Sequence, residues 1–187
     1  MAAETREKVT QAAFESFVNL PQNSERRFEW LDGEIVEVLS NPFVSVIAAR
    51  IIVFISMYLM QNALKGHVSA PDGGYIIDGQ IFAPDVAYID TLPTSHGYEP
   101  KPPLLAVEVI SDPANSQEQT DLRRKLVHYM RAGVVVWVVD YVARQVEIHV
   151  QGQPVTVIGA GGRLDGGEVL PGFDLAVIDI FPQADEQ

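Results

Sequence analysis

Apolar positions recur in two rhythms along this chain, and the rhythm changes where Gly and Pro intervene. Over residues 5–18 the apolar side chains Val9, Ala12, Ala13 and Phe17, with Leu20 beyond, fall at helical spacing, and Pro21 closes the run. RRFEWLDGEIVEVL follows with strand character on both sides of Asp32-Gly33, a two-residue hairpin signal. Asn41-Pro42 marks a turn, and SVIAARIIVFISMYLMQNAL, residues 45–64, predicts a long apolar helix. Its length approaches a membrane span, but Arg50 lies within it. The expectation is therefore a helix buried on most sides, in a core or a dimer contact, and not a membrane segment.

Beyond residue 67 the period shortens. GYIID and QIFAPDVAYID are strand-like and separated by turns, with Asp78-Gly79 a second hairpin signal. Residues 91–103 hold four prolines and no periodicity, which predicts a surface loop. LLAVEVI is a continuous apolar strand broken at Asp112-Pro113. Residues 116–132 predict a helix with Leu122, Leu126, Tyr129 and Met130 on one face and Gly133 as its stop. VVVWVVD is another buried strand, RQVEIHV a half-buried one, and short strands with glycine turns run on to FDLAVIDIF. A helix joining LLAVEVI to VVVWVVD predicts a parallel, right-handed crossover. The order as a whole predicts an α/β fold, a mixed β-sheet flanked by helices. It divides into an N-terminal helical extension (1–25), one principal domain (26–182) and a short tail (183–187).

Composition narrows the classes. The 187 residues suit one domain, and 47% hydrophobic residues supply a sizeable core. There is no cysteine, which excludes disulfides and thiolate zinc sites and fits a reducing, cytoplasmic setting. The N-terminus lacks the apolar run of a secretory signal. Thirteen Lys and Arg face 25 Asp and Glu, a net charge of −12, so any surface for a polyanion must be local. The one local candidate is Arg123, Arg124, Lys125, His128 and Arg131, which could equally be a solvated helix face.

The unusual chemistry is acid placed in apolar strands. Asp85 sits in APDVAYI and Glu108 in LLAVEVI, and burying such carboxylates is costly unless they are paired or bind a metal. Glu34 follows the Asp32-Gly33 turn, where a solvent-facing acid is common. Lys125 lies four residues after Asp121, the spacing of an ordinary surface pair, on the helix that follows the Glu108 strand. Two carboxylates with water and a carbonyl form the oxygen set that Mg²⁺, or Mn²⁺ in its place, prefers. Such an ion activates water and neutralises charge on a phosphate, and a nearby lysine steadies the same charge. His67, His96, His128 and His149 show no metal-binding spacing, and no phosphate-loop or nucleophile-elbow motif is present.

With those residues in view, the chain resembles the Uma-two family of restriction endonucleases, a branch of the PD-(D/E)XK nucleases. RRFEWLDGEIVE, APDVAYID, LLAVEVIS, DLRRKLVHYMRAGV, WVVD and LPGFDLAVIDIF carry the likeness, from about Arg26 to Phe181. The resemblance implies a restriction-endonuclease-like core and metal-dependent hydrolysis of DNA. It puts Asp85 on the PD aspartate and Glu108 on the acid of the second half-motif, the two metal ligands. Ile110 stands where that motif's lysine would be, and Lys125 matches a lysine moved to the following helix. Glu34 matches the acid of the family's DGE motif, and Asp121 and Tyr129 match further positions of unassigned role. A homodimer is expected, because two-fold symmetry suits cutting both strands of a duplex. The alternative left open is an inactive nuclease fold serving as a binding or assembly module.

Overall fold

The structure, a computed structural model, describes residues 7–38 and 40–182. Residues 5 and 6 of the first predicted helix and the predicted tail lie outside the described residues, and the helix itself begins only at Gln11, because Thr10 caps it and Lys8 forms a β-bridge with Glu34 instead. The chain runs α1 (Gln11–Val18), β1 (Phe28–Leu31), β2 (Glu34–Glu37), α2 (Pro42–Gln61), β3 (His67–Ser69), β4 (Tyr75–Ile77), β5 (Gln80–Phe82), β6 (Val86–Ile89) and β7 (Leu105–Val109). It continues α3 (Ser116–Arg131), β8 (Val135–Asp140), β9 (Gln145–His149), β10 (Thr156–Gly159), β11 (Arg163–Gly166), β12 (Leu170–Ala176) and α4 (Val177–Ile180).

Both Asp-Gly pairs turn hairpins. Asp32 and Gly33 have φ of 52° and 87°, Asp78 and Gly79 have 48° and 72°, the doubly positive geometry that matches the twist of the flanking strands. β1 pairs with β2 across the first turn, β4 with β5 across the second, and the two hairpins join through β1 and β5 into a four-stranded antiparallel sheet, β2-β1-β5-β4. The larger sheet is mixed, in the order β10-β9-β8-β7-β6-β3, and its one parallel pair is β7 with β8. The predicted crossover between them is α3. Asn115 caps its start by accepting the Gln117 and Glu118 amides, and Gly133, at φ 72°, stops it.

The larger sheet is covered on both faces. On one lie α2, the β11–β12 hairpin and α4, packed against Val86, Leu105, Val107, Val109, Trp137 and Val139. On the other lie α3 and the smaller sheet, packed against Ala87, Ala106, Ile110, Val136 and Val138. The period-2 alternation of β7 therefore sends Leu105, Val107 and Val109 to the α2 side and Ala106, Glu108 and Ile110 to the α3 side. α1 packs on the outer side of the smaller sheet through Phe14, against Phe28 and Ile81. The Trp30 indole N–H, donating to the Val9 carbonyl, ties the segment before α1 to β1.

The long apolar helix is covered on one side only within a single chain. α2 buries Val44, Ile47, Ala48, Ile51, Ile55 and Leu59 against the sheet, but Phe43, Val46, Val53, Met57 and Met60 stay exposed. A single sheet can cover only one side of a cylinder, so a helix apolar all round keeps half of its apolar surface outside. By length and composition alone α2 could cross a membrane.

Candidate active site

The β6–β7 register assembles the core of the site. Val86 pairs with Val107 and Ala87 with Ala106, antiparallel, so the next step places Asp85 opposite Glu108. Both then point to the α3 face, and the Val109 amide donates to Asp85 Oδ2 at 2.8 Å. Two like charges directly across a ladder are destabilising unless a cation sits with them.

α3 brings one cation. Its buried face carries Asp121, Lys125, His128 and Tyr129, spaced at helical intervals. Lys125 Nζ lies 2.8 Å from Glu108 Oε1 and 2.8 Å from Glu29 Oε1. The Tyr129 hydroxyl donates to the same Glu108 Oε1 at 2.6 Å. Glu29, only 3% exposed, also accepts the Ala83 amide at 2.8 Å. It was not among the residues expected from sequence. In FEWL, Phe28 and Trp30 face α1 while Glu29 and Leu31 face α3, so an acid sharing a strand face with a leucine was the available signal. That this face is a covered one depends on α3, which arrives some ninety residues later.

The charges press on one another. Burial, and then the charge of Glu108, push the Asp85 carboxyl up to about 7. Burial raises Glu29 as well, against the pull of Lys125. Burial opposes the charge of Lys125, but Glu108 and Glu29 outweigh it and hold the ammonium above the ordinary lysine value. Tyr129 is raised well above the usual phenol by burial and by Glu108, so it remains a proton donor.

These groups line a cleft of about 390 Å³ between β7, the start of α3 and β2. Among the described residues its lining holds one lysine, Lys125, and several acids, including Glu37, Asp112 and Glu118 besides those already named. Toward the described residues, Glu29 and Glu108 each use only Oε1 for hydrogen bonds and ion pairs, and Asp85 only Oδ2. Among the described residues nothing donates to Glu29 Oε2, Asp85 Oδ1 or Glu108 Oε2, and none of the three is sealed from the cleft. Carboxylate oxygens unused by the protein and open to the cleft, with negative charge in excess of one lysine, suit a hard divalent cation. No group of three or more Asp, Glu or His among the described residues is gathered closely enough to hold an ion. Asp85 and Glu108 would instead supply two oxygens, and water or main-chain carbonyls the rest, as Mg²⁺ commonly accepts.

Glu34 is placed differently. It meets Arg124 Nη1 at 2.9 Å, and the same guanidinium reaches Asp32 at 2.9 Å and Asp121 at 3.1 Å. Asp121 lines the cleft and Glu34 does not, so Glu34 is linked to the cleft through Arg124 and Asp121. His128 joins the two hairpin turns, with Nδ1 2.8 Å from Asp78 and Nε2 2.9 Å from Asp32. Both contacts are hydrogen bonds when both ring nitrogens carry protons. Partial burial would raise Asp32, but hydrogen bonds from Arg124 and His128 hold it below the usual carboxylate range.

This arrangement corrects the reading of the basic cluster as a surface for a polyanion. Arg124, Lys125 and His128 turn inward and are paired with acids; Arg123 and Arg131 stay on the surface, Arg131 3.6 Å from Asp78. Lys125 is not the surface partner of Asp121 either; that pair is formed by Arg124, one residue earlier. The physical cause is the acid carried on both hairpin turns and on β1, which α3 meets on packing.

The Uma2 family, described as "Putative restriction endonuclease", matches residues 14–178. The crystal structure of a protein from Anabaena variabilis ATCC 29413, described as "a putative nuclease belonging to DUF820", shares the fold with a TM-score of 0.72. The two chains are 16% identical, over 89% of this chain and 96% of the other. No curated protein matches the chain.

Proposed function

Because the chain belongs to the Uma2 restriction endonuclease family, we propose that it hydrolyses DNA phosphodiester bonds with the help of a divalent cation at Asp85 and Glu108. The observation that carries this reading is the cross-strand Asp85–Glu108 pair with carboxylate oxygens open to the cleft, beside Lys125. Bound there, Mg²⁺, or Mn²⁺ in its place, would lower the pKa of a water and neutralise charge on a phosphate.

The chain's own groups prepare the rest. Lys125 has three N–H donors and two carboxylate partners, which leaves a donor for the attacking water or a phosphate oxygen. Glu29 is its second anchor, so the ammonium stays in place when Glu108 turns toward a cation. Tyr129 fixes Glu108 by its hydroxyl. Glu34 acts at a distance, by holding Arg124 and through it Asp121 and the start of α3.

Nicking of supercoiled plasmid at low salt tests the reading, with Mg²⁺, Mn²⁺ or EDTA. The expected result is cleavage that needs the cation and falls by roughly 10²-fold or more in Asp85→Asn and in Lys125→Ala, the size of effect seen when one electrostatic group is removed from a site. Cleavage that persists in EDTA, or in both variants, would sink it. A second reading, a binding module that does not cut, is favoured by the acidic lining of the cleft, which repels a polyanion until a cation is bound. It predicts no nicking with either metal and no Asp85-dependent heat of Mg²⁺ binding in calorimetry.

A further inference from the structure

The exposed side of α2 has a pattern of its own. Phe43, Val46, Arg50, Val53, Met57 and Met60 follow one another at steps of three and four, the spacing of a two-helix seam. At about 100° per residue this stripe lies on the opposite side of the helix from the core-facing one. Its five apolar members are between 44% and 81% exposed. From this seam we propose that the protein is a homodimer in which α2 packs antiparallel against α2 of a second copy, centred on Val53.

Charge selects a second copy as the occupant. The chain carries 25 acids against 13 bases, so most faces of two copies repel. α2 has no Asp or Glu in its 20 residues, and its one charge is Arg50. The same net charge opposes docking on an anionic lipid surface, which favours basic faces. Charge also selects the direction. In a parallel pair Arg50 would face Arg50. In an antiparallel pair centred on Val53, Val46 meets Met60 and Arg50 meets the uncharged turn of Ser56 and Met57. Arg50 is already drawn to the edge of the seam, where its guanidinium donates to the Asp179 carbonyl at 3.0 Å.

The seam does not stop at the helix. The Phe43 ring stacks on Tyr141, with centroids 5.8 Å apart and planes at 6°, and Val142 beside it is exposed. The antiparallel register carries this end of one α2 onto the residue 63–64 end of the other, where Leu64 is also exposed. A contiguous exposed apolar patch of this kind marks an interface more often than an idle surface.

Sedimentation equilibrium of the full chain at micromolar concentration is expected to give twice the 20.6 kDa chain mass. Val53→Glu is expected to give the single-chain mass while keeping the circular dichroism spectrum and melting temperature of its folded monomer. The chain has no cysteine, so single cysteines report the register without interference. Val53→Cys is expected to cross-link to itself on mild oxidation. Val46→Cys and Met60→Cys are expected to cross-link to each other when mixed, and neither to itself. A wild-type monomer under these conditions overturns the proposal, whether or not it floats with lipid vesicles. So does a dimer that Val53→Glu leaves intact. Self-linking by Val46→Cys with none by Val53→Cys overturns the antiparallel register.

Discussion

The two faces of the six-stranded sheet are built from the same strands and do opposite work. On the α2 side, Leu105, Val107 and Val109 of β7 meet a wholly apolar surface. On the α3 side, the intervening residues include Glu108, and the helix that covers them contributes Lys125 and Tyr129. Five consecutive residues of one strand, all buried, thus serve both a core and a charged site. The difference teaches where stability and chemistry are kept apart. One side gains from removing apolar area from water, while the other spends part of that gain on holding like charges together.

Substitution should separate the faces, beginning where the largest effect on stability is expected. Ile51→Ala on α2 removes a fully buried side chain and is expected to cost about 2–5 kcal/mol in urea unfolding. Its cleavage rate should be that of the parent wherever the variant is folded. A matching loss of rate in fully folded protein would show that the two faces are coupled.

The next effect has the opposite sign. The folded Asp85 carboxyl titrates at about 7, above the ordinary value of about 3.8. The folded state therefore holds a proton that the unfolded chain has released between about pH 4 and pH 7. Stability contributed by that proton is complete below pH 4 and is lost as the pH rises through 7. In EDTA at pH 8, Asp85→Asn is expected to stabilise the fold by ~2 kcal/mol, with the difference fading toward pH 4. Unfolding curves at the two pH values check it, and an Asn variant less stable than the parent at pH 8 would contradict it. The smallest effect belongs to Tyr129→Phe. It removes one donor from Glu108 while Lys125 remains, and should cost ~1 kcal/mol, read in the same unfolding experiment.

Legibility differed between these regions in the same way. Glu108 stood out in sequence because the six apolar residues of its strand made an acid there expensive, and the Asp-Gly pairs announced both hairpins because few dipeptides adopt two positive φ angles in a row. Lys125 was visible only through the family likeness, since Asp121 four residues before it offered an ordinary surface partner. Glu29 offered only a faint signal, an acid on the same strand face as Leu31, and nothing local said that this face would be covered. The basic run on α3 was misleading for the same reason: Arg124 and His128 meet acids 90 to 96 positions earlier in the chain, and no local pattern reports such a meeting.

Local chemistry in the sequence determined most of the strands, hairpins and helices and that β7 and β8 would run parallel around α3, but it missed the late start of α1 at Gln11 and the helical turn Val177–Ile180 at the end of a run read as strand. Those outcomes depend on propensity, turn geometry and connection length, all of which act over a few neighbouring residues or one crossover. Tertiary structure alone decided which faces were covered. It left half of α2 bare, turned the basic face of α3 inward onto the hairpin turns, and set Glu29, Asp85 and Glu108 around one lysine. Each of these is a contact between distant segments, and a side chain's charge or polarity does not say what will be packed against it.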